Sequence, residues 1–78
     1  MKLEIISPEK QIFNGNADGI TLPGAGGIFS VLDNHVSMIS ILKTGTITIN
    51  DSGKEDNIDI KDGVIEVKNN VVVVCVNE

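Results

Sequence analysis

Apolar and polar residues alternate with a period near two along most of this chain. Thr46-Ile47-Thr48-Ile49 is the clearest stretch, with Ile47 and Ile49 on one side of an extended backbone and Thr46 and Thr48 on the other. Extended segments of this kind are predicted at residues 1–7, 11–13, 17–22, 28–32, 36–42, 46–50, 54–60, 64–68 and 71–76. Residues that bend chains separate them: Pro8-Glu9-Lys10, Asn14-Gly15, Asp33-Asn34-His35, Lys43-Thr44-Gly45, Asp51-Ser52-Gly53, Lys61-Asp62-Gly63 and Asn69-Asn70. Asn-Gly favours positive φ, so Asn14-Gly15 is expected to end a short strand at Phe13. Pro23-Gly24-Ala25-Gly26-Gly27 is expected to be too glycine-rich for regular pairing. Residues 54–60 open with charges, which suits an exposed edge strand. Val71-Val72-Val73-Val74-Cys75-Val76 is apolar without a break, and this predicts a central strand buried on both faces. Cys75 within it is expected to be a buried, inert thiol. Turn signals at such short intervals predict an all-β fold.

Composition sharpens that picture. Ile occurs 12 times, Val 9 and Thr 4, against 2 Ala, 4 Leu and 2 Met. β-Branched side chains lose rotamer freedom in helices and fit pleated sheets. No helix is therefore available to cover the apolar stripes, and two sheets must cover each other. The expectation is a single β-sandwich domain over residues 1–78, since a chain of 78 residues has no room for a second core.

Charge narrows the partners. The net charge is −5, and Arg, Trp and Tyr are absent. Such a chain lacks both the cationic patch and the stacking platform that nucleic acids need. An anionic membrane surface would repel it, so no direct lipid insertion is expected. A lone cysteine suits a reducing compartment, and no apolar run has the length of a membrane span or the shape of a signal peptide. These features predict a cytosolic chain.

Candidate chemistry is sparse. His35 is the only histidine and has no partner at metal-ligand or nucleophile–base spacing. Gly24-Ala25-Gly26-Gly27 lies between two strands, so no helix N-terminus follows to hold a phosphate. Gly53-Lys54 lacks the hydroxyl residue of a P-loop. Asp51, Glu55, Asp56, Asp59 and Asp62 do not follow a calcium-loop spacing and suit a solvated edge. Lys68, beside Asn69-Asn70, occupies the hairpin position at which small biotin- or lipoate-carrier domains display a lysine. The flanking residues typical of those carriers are missing. No catalytic, cofactor-binding or metal-binding residue emerges, which leaves a binding or scaffolding part, with a carrier domain or an unrelated β-sandwich binding module as alternatives.

An ordered set of motifs goes further. Leu3-Glu4-Ile5-Ile6-Ser7-Pro8-Glu9-Lys10, Phe13-Asn14-Gly15, Ile20-Thr21-Leu22-Pro23-Gly24, Gly27-Ile28-Phe29-Ser30-Val31-Leu32 and Asn34-His35 follow one another as they do in one family. Leu42-Lys43-Thr44-Gly45-Thr46-Ile47 and Asp62-Gly63-Val64-Ile65-Glu66-Val67 continue the match. The chain resembles the N-terminal β-domain of the epsilon subunit of bacterial F-type ATP synthase, called delta in mitochondria.

The resemblance implies a flattened two-sheet sandwich of about ten short strands. It implies a non-catalytic rotor subunit of the central stalk, peripheral at the cytoplasmic face of the membrane. The implied partners are the gamma subunit and the c-ring, which it would couple during proton-driven ATP synthesis. By position in the motifs, Ser7, His35, Ile39 and Ser40 would meet gamma, while Ile28, Phe29 and Leu32 would lie in a loop facing the c-ring. Two positions depart from the family: Ile28 stands where an acidic residue is frequent, and Asp33-Asn34 replaces Pro-Gly before the histidine. Longer members continue into an inhibitory, ATP-sensing helical hairpin. This sequence ends at Glu78, so the expectation is an assembly without inhibition by such an arm.

Overall fold

The computed structural model describes all residues, 1–78, and contains nine strands and no helix. They are β1 (Lys2–Ile6), β2 (Gln11–Asn16), β3 (Gly19–Gly24), β4 (Gly27–Leu32), β5 (Met38–Leu42), β6 (Gly45–Asp51), β7 (Lys54–Ile60), β8 (Asp62–Lys68) and β9 (Val71–Asn77). Hydrogen-bonded neighbours run in the order β2-β1-β9-β8-β5-β3-β6-β7, with β4 on the remaining side of β3. Nine strands at about 4.8 Å each would make a flat sheet close to 40 Å wide. The longest dimension is 26 Å, so the sheet folds over on itself. The fold line is the β5–β3 junction, where one bridge pair, Gly24 and Leu42, joins the two halves. The first half is β2-β1-β9-β8-β5 and the second is β4-β3-β6-β7.

The alternation seen in the sequence decides what lies between the halves. Leu3, Ile5, Val72, Val74, Val76, Ile65, Val67 and Leu42 face inward from the first half. Ile20, Leu22, Val31, Ile47, Ile49 and Ile60 face inward from the second, and with Ala17 these form one cluster of 15 buried residues. No polar or charged side chain is buried with them. Each such aliphatic side chain stabilises the fold by roughly 1.5–3 kcal/mol on burial, so the core is the cement between the two halves.

Several expectations change. β5 begins at Met38 rather than at residue 36, because residues 33–37 cross between the halves unpaired; the nine strands agree with the expected sandwich of about ten. Asn14-Gly15 is no turn: β2 runs through it, Asn14 opposite Glu4 and Gly15 opposite Leu3. Pairing with β1 outweighs the local turn preference there. The glycine-rich segment does pair, with Pro23 opposite Ile28 and Gly24 opposite Gly27 around Ala25-Gly26. Gly24 permits this because a Cβ there would come within 2.7 Å of both the Phe29 ring and the Gly27 carbonyl oxygen. β9 is central, between β1 and β8, but it is buried on one face only. Val72, Val74 and Val76 point inward, Val71 and Cys75 are exposed, and Val73 is half-buried. An uninterrupted apolar run cannot signal which row faces the core, and here a second layer covers only one.

Other expectations stand. β7 forms one end of the strand order, its charged first half exposed. Asn69 and Asn70, at φ 53° and 60°, make the tight β8–β9 hairpin, and Ser52 and Gly53, at 52° and 81°, make the β6–β7 hairpin.

Candidate functional site

The outward rows of the two halves differ in chemistry. On the second half, Ser30, Thr21, Thr48 and Asn57 stand side by side across β4, β3, β6 and β7. The Thr21 and Ser30 hydroxyls are 2.9 Å apart, and Thr48 Oγ1 donates to Asn57 Oδ1 at 2.9 Å. Thr46 Oγ1 donates to Asp59 Oδ1 at 2.8 Å in the neighbouring row. These groups satisfy one another and face water, while Ile28 and Leu32 stand exposed on either side of Ser30 in the outward row of β4.

The first half presents the opposite. Ile6, Cys75, Val64 and Ile41 lie side by side across β1, β9, β8 and β5. Ile41 is 65% and Val64 44% exposed, and the Cys75 thiol is exposed as well. Cys75 was expected in the interior. Its register opposite Ile6 and Val64 sends it outward, because Val74 and Val76 take the inward positions. One row away stand Glu4, Val73, Glu66 and Ile39, the last 71% exposed, and beyond them Lys2, Val71 and Lys68. A shallow open depression of about 580 Å³ runs along the apolar row, bounded by Ser7 and Pro8 at one end and Asp62 and Asn77 beside it. No other element of the chain covers this face. Apolar surface left open in one contiguous patch marks an interaction site more often than scattered exposed residues do.

The residues singled out in the sequence fall around this face unevenly. Ile39 is on it. Ser7 stands at its β1 end in a tight turn, its N–H donating to the Lys10 carbonyl at 2.9 Å. Ser40, one residue on from Ile39, belongs to the inward row opposite Ile65 and is half-buried. His35 lies in the crossover before β5, at the end of the sandwich away from Ser7. Its Nδ1 is 2.8 Å from the Val36 carbonyl oxygen, so this nitrogen carries the donated proton and Nε2 is left for a partner or solvent. The structure therefore puts Ser7 and His35 at opposite ends of one half and does not bring them into one cluster.

Ile28, Phe29 and Leu32 are on strand β4, not in a loop. Ile28 and Leu32 point outward at 78% and 62% exposure, near the two ends of that strand. Phe29 points inward, packed over Gly24 and against the core. Lys68 ends β8 opposite Val71, exposed at the hairpin.

The turn preceding His35 is held by charge. Asp33 Oδ1 receives a 2.6 Å bond from the Met1 ammonium, which also donates to the Ala17 carbonyl at 3.0 Å. The bond to this ammonium, then Asn70, then the ammonium's charge hold the Asp33 carboxyl below the ordinary aspartate value. Asn34, at φ 62°, donates its N–H to Asn70 Oδ1 at 2.8 Å. Polar contacts thus tie the crossover to the β8–β9 hairpin and to the Met1 ammonium.

Comparison with known proteins bears on this sandwich directly. The family model described as ATP synthase, Delta/Epsilon chain, beta-sandwich domain matches residues 1–78. The chain belongs to that family. Among delta/epsilon relatives, the ATP synthase epsilon chain of Leptospira borgpetersenii is 38% identical over 72 residues, which are 92% of this chain and 57% of the relative. The chain spans about half the length of the curated relatives it matches. In the cryo-EM structure of the Euglena gracilis mitochondrial ATP synthase OSCP/F1/c-ring, one chain superposes with a TM-score of 0.91 at 24% identity, covering 97% of this chain and 49% of that one. A chain in the Tetrahymena thermophila mitochondrial ATP synthase central stalk and c-ring gives 0.84 at 15% identity, covering 99% and 63%. At those identities the two structures establish the delta/epsilon sandwich as a shared fold.

Sequence reasoning missed Ile41, Val64 and Cys75 as outward-facing residues. A signal was present. In Met38-Ile39-Ser40-Ile41-Leu42 both rows of the strand carry apolar residues, and in a two-layer sandwich only one row can reach the core.

Proposed function

We propose that this chain is the β-sandwich of a non-catalytic central-stalk rotor subunit of an F-type ATP synthase. It joins a gamma-type shaft subunit to the c-ring, so that ring rotation reaches the catalytic subunits. The observation that carries this reading is the family match over the whole length, 1–78. The uncovered apolar face of the first half supports it, because a coupling part needs a surface for a permanent partner. In this reading Ser7, His35 and Ile39 meet gamma, with Ser40 supporting Ile39 from the inward row. Ile28 and Leu32 face the c-ring, with Phe29 anchoring their strand from inside. Attachment to the cytoplasmic face of the bacterial membrane runs through these partners, since the chain is acidic and offers lipid no cationic hold.

The test is co-expression with a gamma subunit and c-ring, followed by reconstitution with and without this chain. Co-purification with gamma is expected, together with a loss of proton pumping relative to ATP hydrolysis when the chain is left out. Failure to bind gamma, or coupling that is indifferent to the chain, overturns the reading. Biotin or lipoate found by mass on Lys68 would favour a carrier domain instead.

A further inference from the structure

The uncovered face carries charge in a pattern that the core does not require. The apolar row Ile6, Cys75, Val64 and Ile41 crosses four strands. Its steps are about 4.8 Å, close to the 5.4 Å pitch of an α-helix. A helix laid across the strands can therefore place one apolar side chain per turn over each residue of this row for about three turns. The charged residues nearest the row are acidic on both flanks, and Lys2 and Lys68 stand one row further out, beyond Glu66. Glu66 stands one row away on β8, between Val73 and Ile39, and Asp62 stands on the same strand on the other side of Val64. Asp62 accepts a bond from Asn77 Nδ2 at 2.6 Å. Glu66 is exposed and has no partner of its own, since the two ion pairs of the chain are Met1–Asp33 and Lys10–Glu78.

We infer that the occupant of this face is an amphipathic helix of the stalk partner, with its apolar stripe flanked by Lys or Arg that meet Glu66 and Asp62. The inference rests on the stalk reading above and adds the partner's chemistry at residue level. The apolar row supplies affinity, and the two carboxylates set orientation and reject acidic-flanked helices. A second copy of this chain carries Glu66 and Asp62, not Lys or Arg, immediately beside its own apolar row, so it lacks the complementary flanks.

The test uses three helical peptides with one apolar stripe, flanked by Lys, Gln or Glu, titrated into the chain at low and high salt. Cys75 lies in the apolar row and is the only thiol, so its protection from maleimide reports seating on the face. The Lys-flanked peptide is expected to bind about fivefold or more tightly than the Glu-flanked one at low salt, with the difference shrinking at high salt. Glu66→Lys should narrow or invert that order, with Glu66→Gln in between. Equal binding of the three peptides, or an order unchanged by Glu66→Lys, overturns the inference. Concentration-dependent self-association that shields Cys75 without any peptide overturns it too.

The two readings fail separately. If a gamma subunit protects Cys75 and Glu66→Lys leaves that protection unchanged, the charge pattern is refuted and the stalk reading stands. If gamma does not bind while the Lys-flanked peptide does, the stalk reading falls and the charge preference stands.

Discussion

The two halves of the sandwich bury the same kind of inward row and display opposite outward rows. Valine, isoleucine and leucine line the inside of both. Outside, β4-β3-β6-β7 carries the hydrogen-bonded pairs Thr21–Ser30, Thr48–Asn57 and Thr46–Asp59, with Ile28 and Leu32 exposed on β4 alone, while β2-β1-β9-β8-β5 carries Ile6, Cys75, Val64, Ile41 and Ile39 across four strands. Hydroxyls and amides facing water cost little, whereas exposed Ile and Val gain nothing until something covers them. The inward rows account for why the domain folds. The outward rows of β3, β6 and β7 are finished by solvent, whereas the apolar rows of the first half, and Ile28 and Leu32 on β4, are left for partners.

The largest expected effects test whether the inward rows are equivalent. Ile5→Ala in the first half and Ile47→Ala in the second should each cost about 3 kcal/mol, since both side chains are fully buried and a cavity would remain. Urea denaturation of both variants checks this. A cost under about 1 kcal/mol in one half alone would mean that the halves do not share the core equally.

Next comes the contrast between outward rows. Ile41→Thr keeps β-branching and removes apolar surface, so it should change stability by no more than about 0.5 kcal/mol. It should weaken binding to a gamma subunit by more than about 1 kcal/mol. Calorimetry and thermal melting on the same preparation separate the two. A variant that melts much earlier but binds normally would make Ile41 a residue of the fold rather than of the interface.

His35→Ala is expected to behave in the same direction but less strongly, weakening gamma binding by about 1 kcal/mol with a stability change within about 0.5 kcal/mol. A matched substitution on the other face, Thr48→Val, should cost about 0.5–1 kcal/mol for the lost bond to Asn57 and leave gamma binding unchanged. If Thr48→Val impairs docking as Ile41→Thr does, the distinction between the faces collapses.

The smallest effect concerns Asp33, which is fully exposed, so its ion pair with the Met1 ammonium is screened by water and salt. Its carboxyl is held below the ordinary value, so the unfolded chain binds the proton more readily than the folded one. The contribution is complete above about pH 4, the ordinary aspartate range, and is lost as pH falls through the lower folded value. A pH series of melting temperatures for Asp33→Asn should therefore be flatter than that of the parent chain on the acid side. Parallel curves would show that the pair adds nothing.

Much of this architecture was legible in the residues. Alternation at residues 46–50, the charged start of β7 and the Asn69-Asn70 hairpin are local in origin, because a two-residue period and positive-φ turns depend on neighbours in the chain. The ordered motifs from Leu3 to Val67 carried the family. Less legible were Asn14-Gly15 and Pro23–Gly27, where turn chemistry pointed one way and pairing with β1 or β4 the other. Strand partners supply hydrogen bonds along the whole backbone, and they outweigh the preference of a dipeptide.

By itself the sequence determined an all-β fold, the β6–β7 and β8–β9 hairpins and the family to which the chain belongs. Only the tertiary structure decided which row of β5, β8 and β9 faces the core, and hence that Cys75, Val64, Ile41 and Ile39 share one open face with Glu66. A strand that is apolar on both rows leaves its register degenerate, and a slip of one residue exchanges every side chain between the two faces. That degeneracy was lifted by the pairing of β9 with both β1 and β8, which put Val72, Val74 and Val76 against the second half. Contact between strands far apart in sequence made the choice, and no local pattern encodes it.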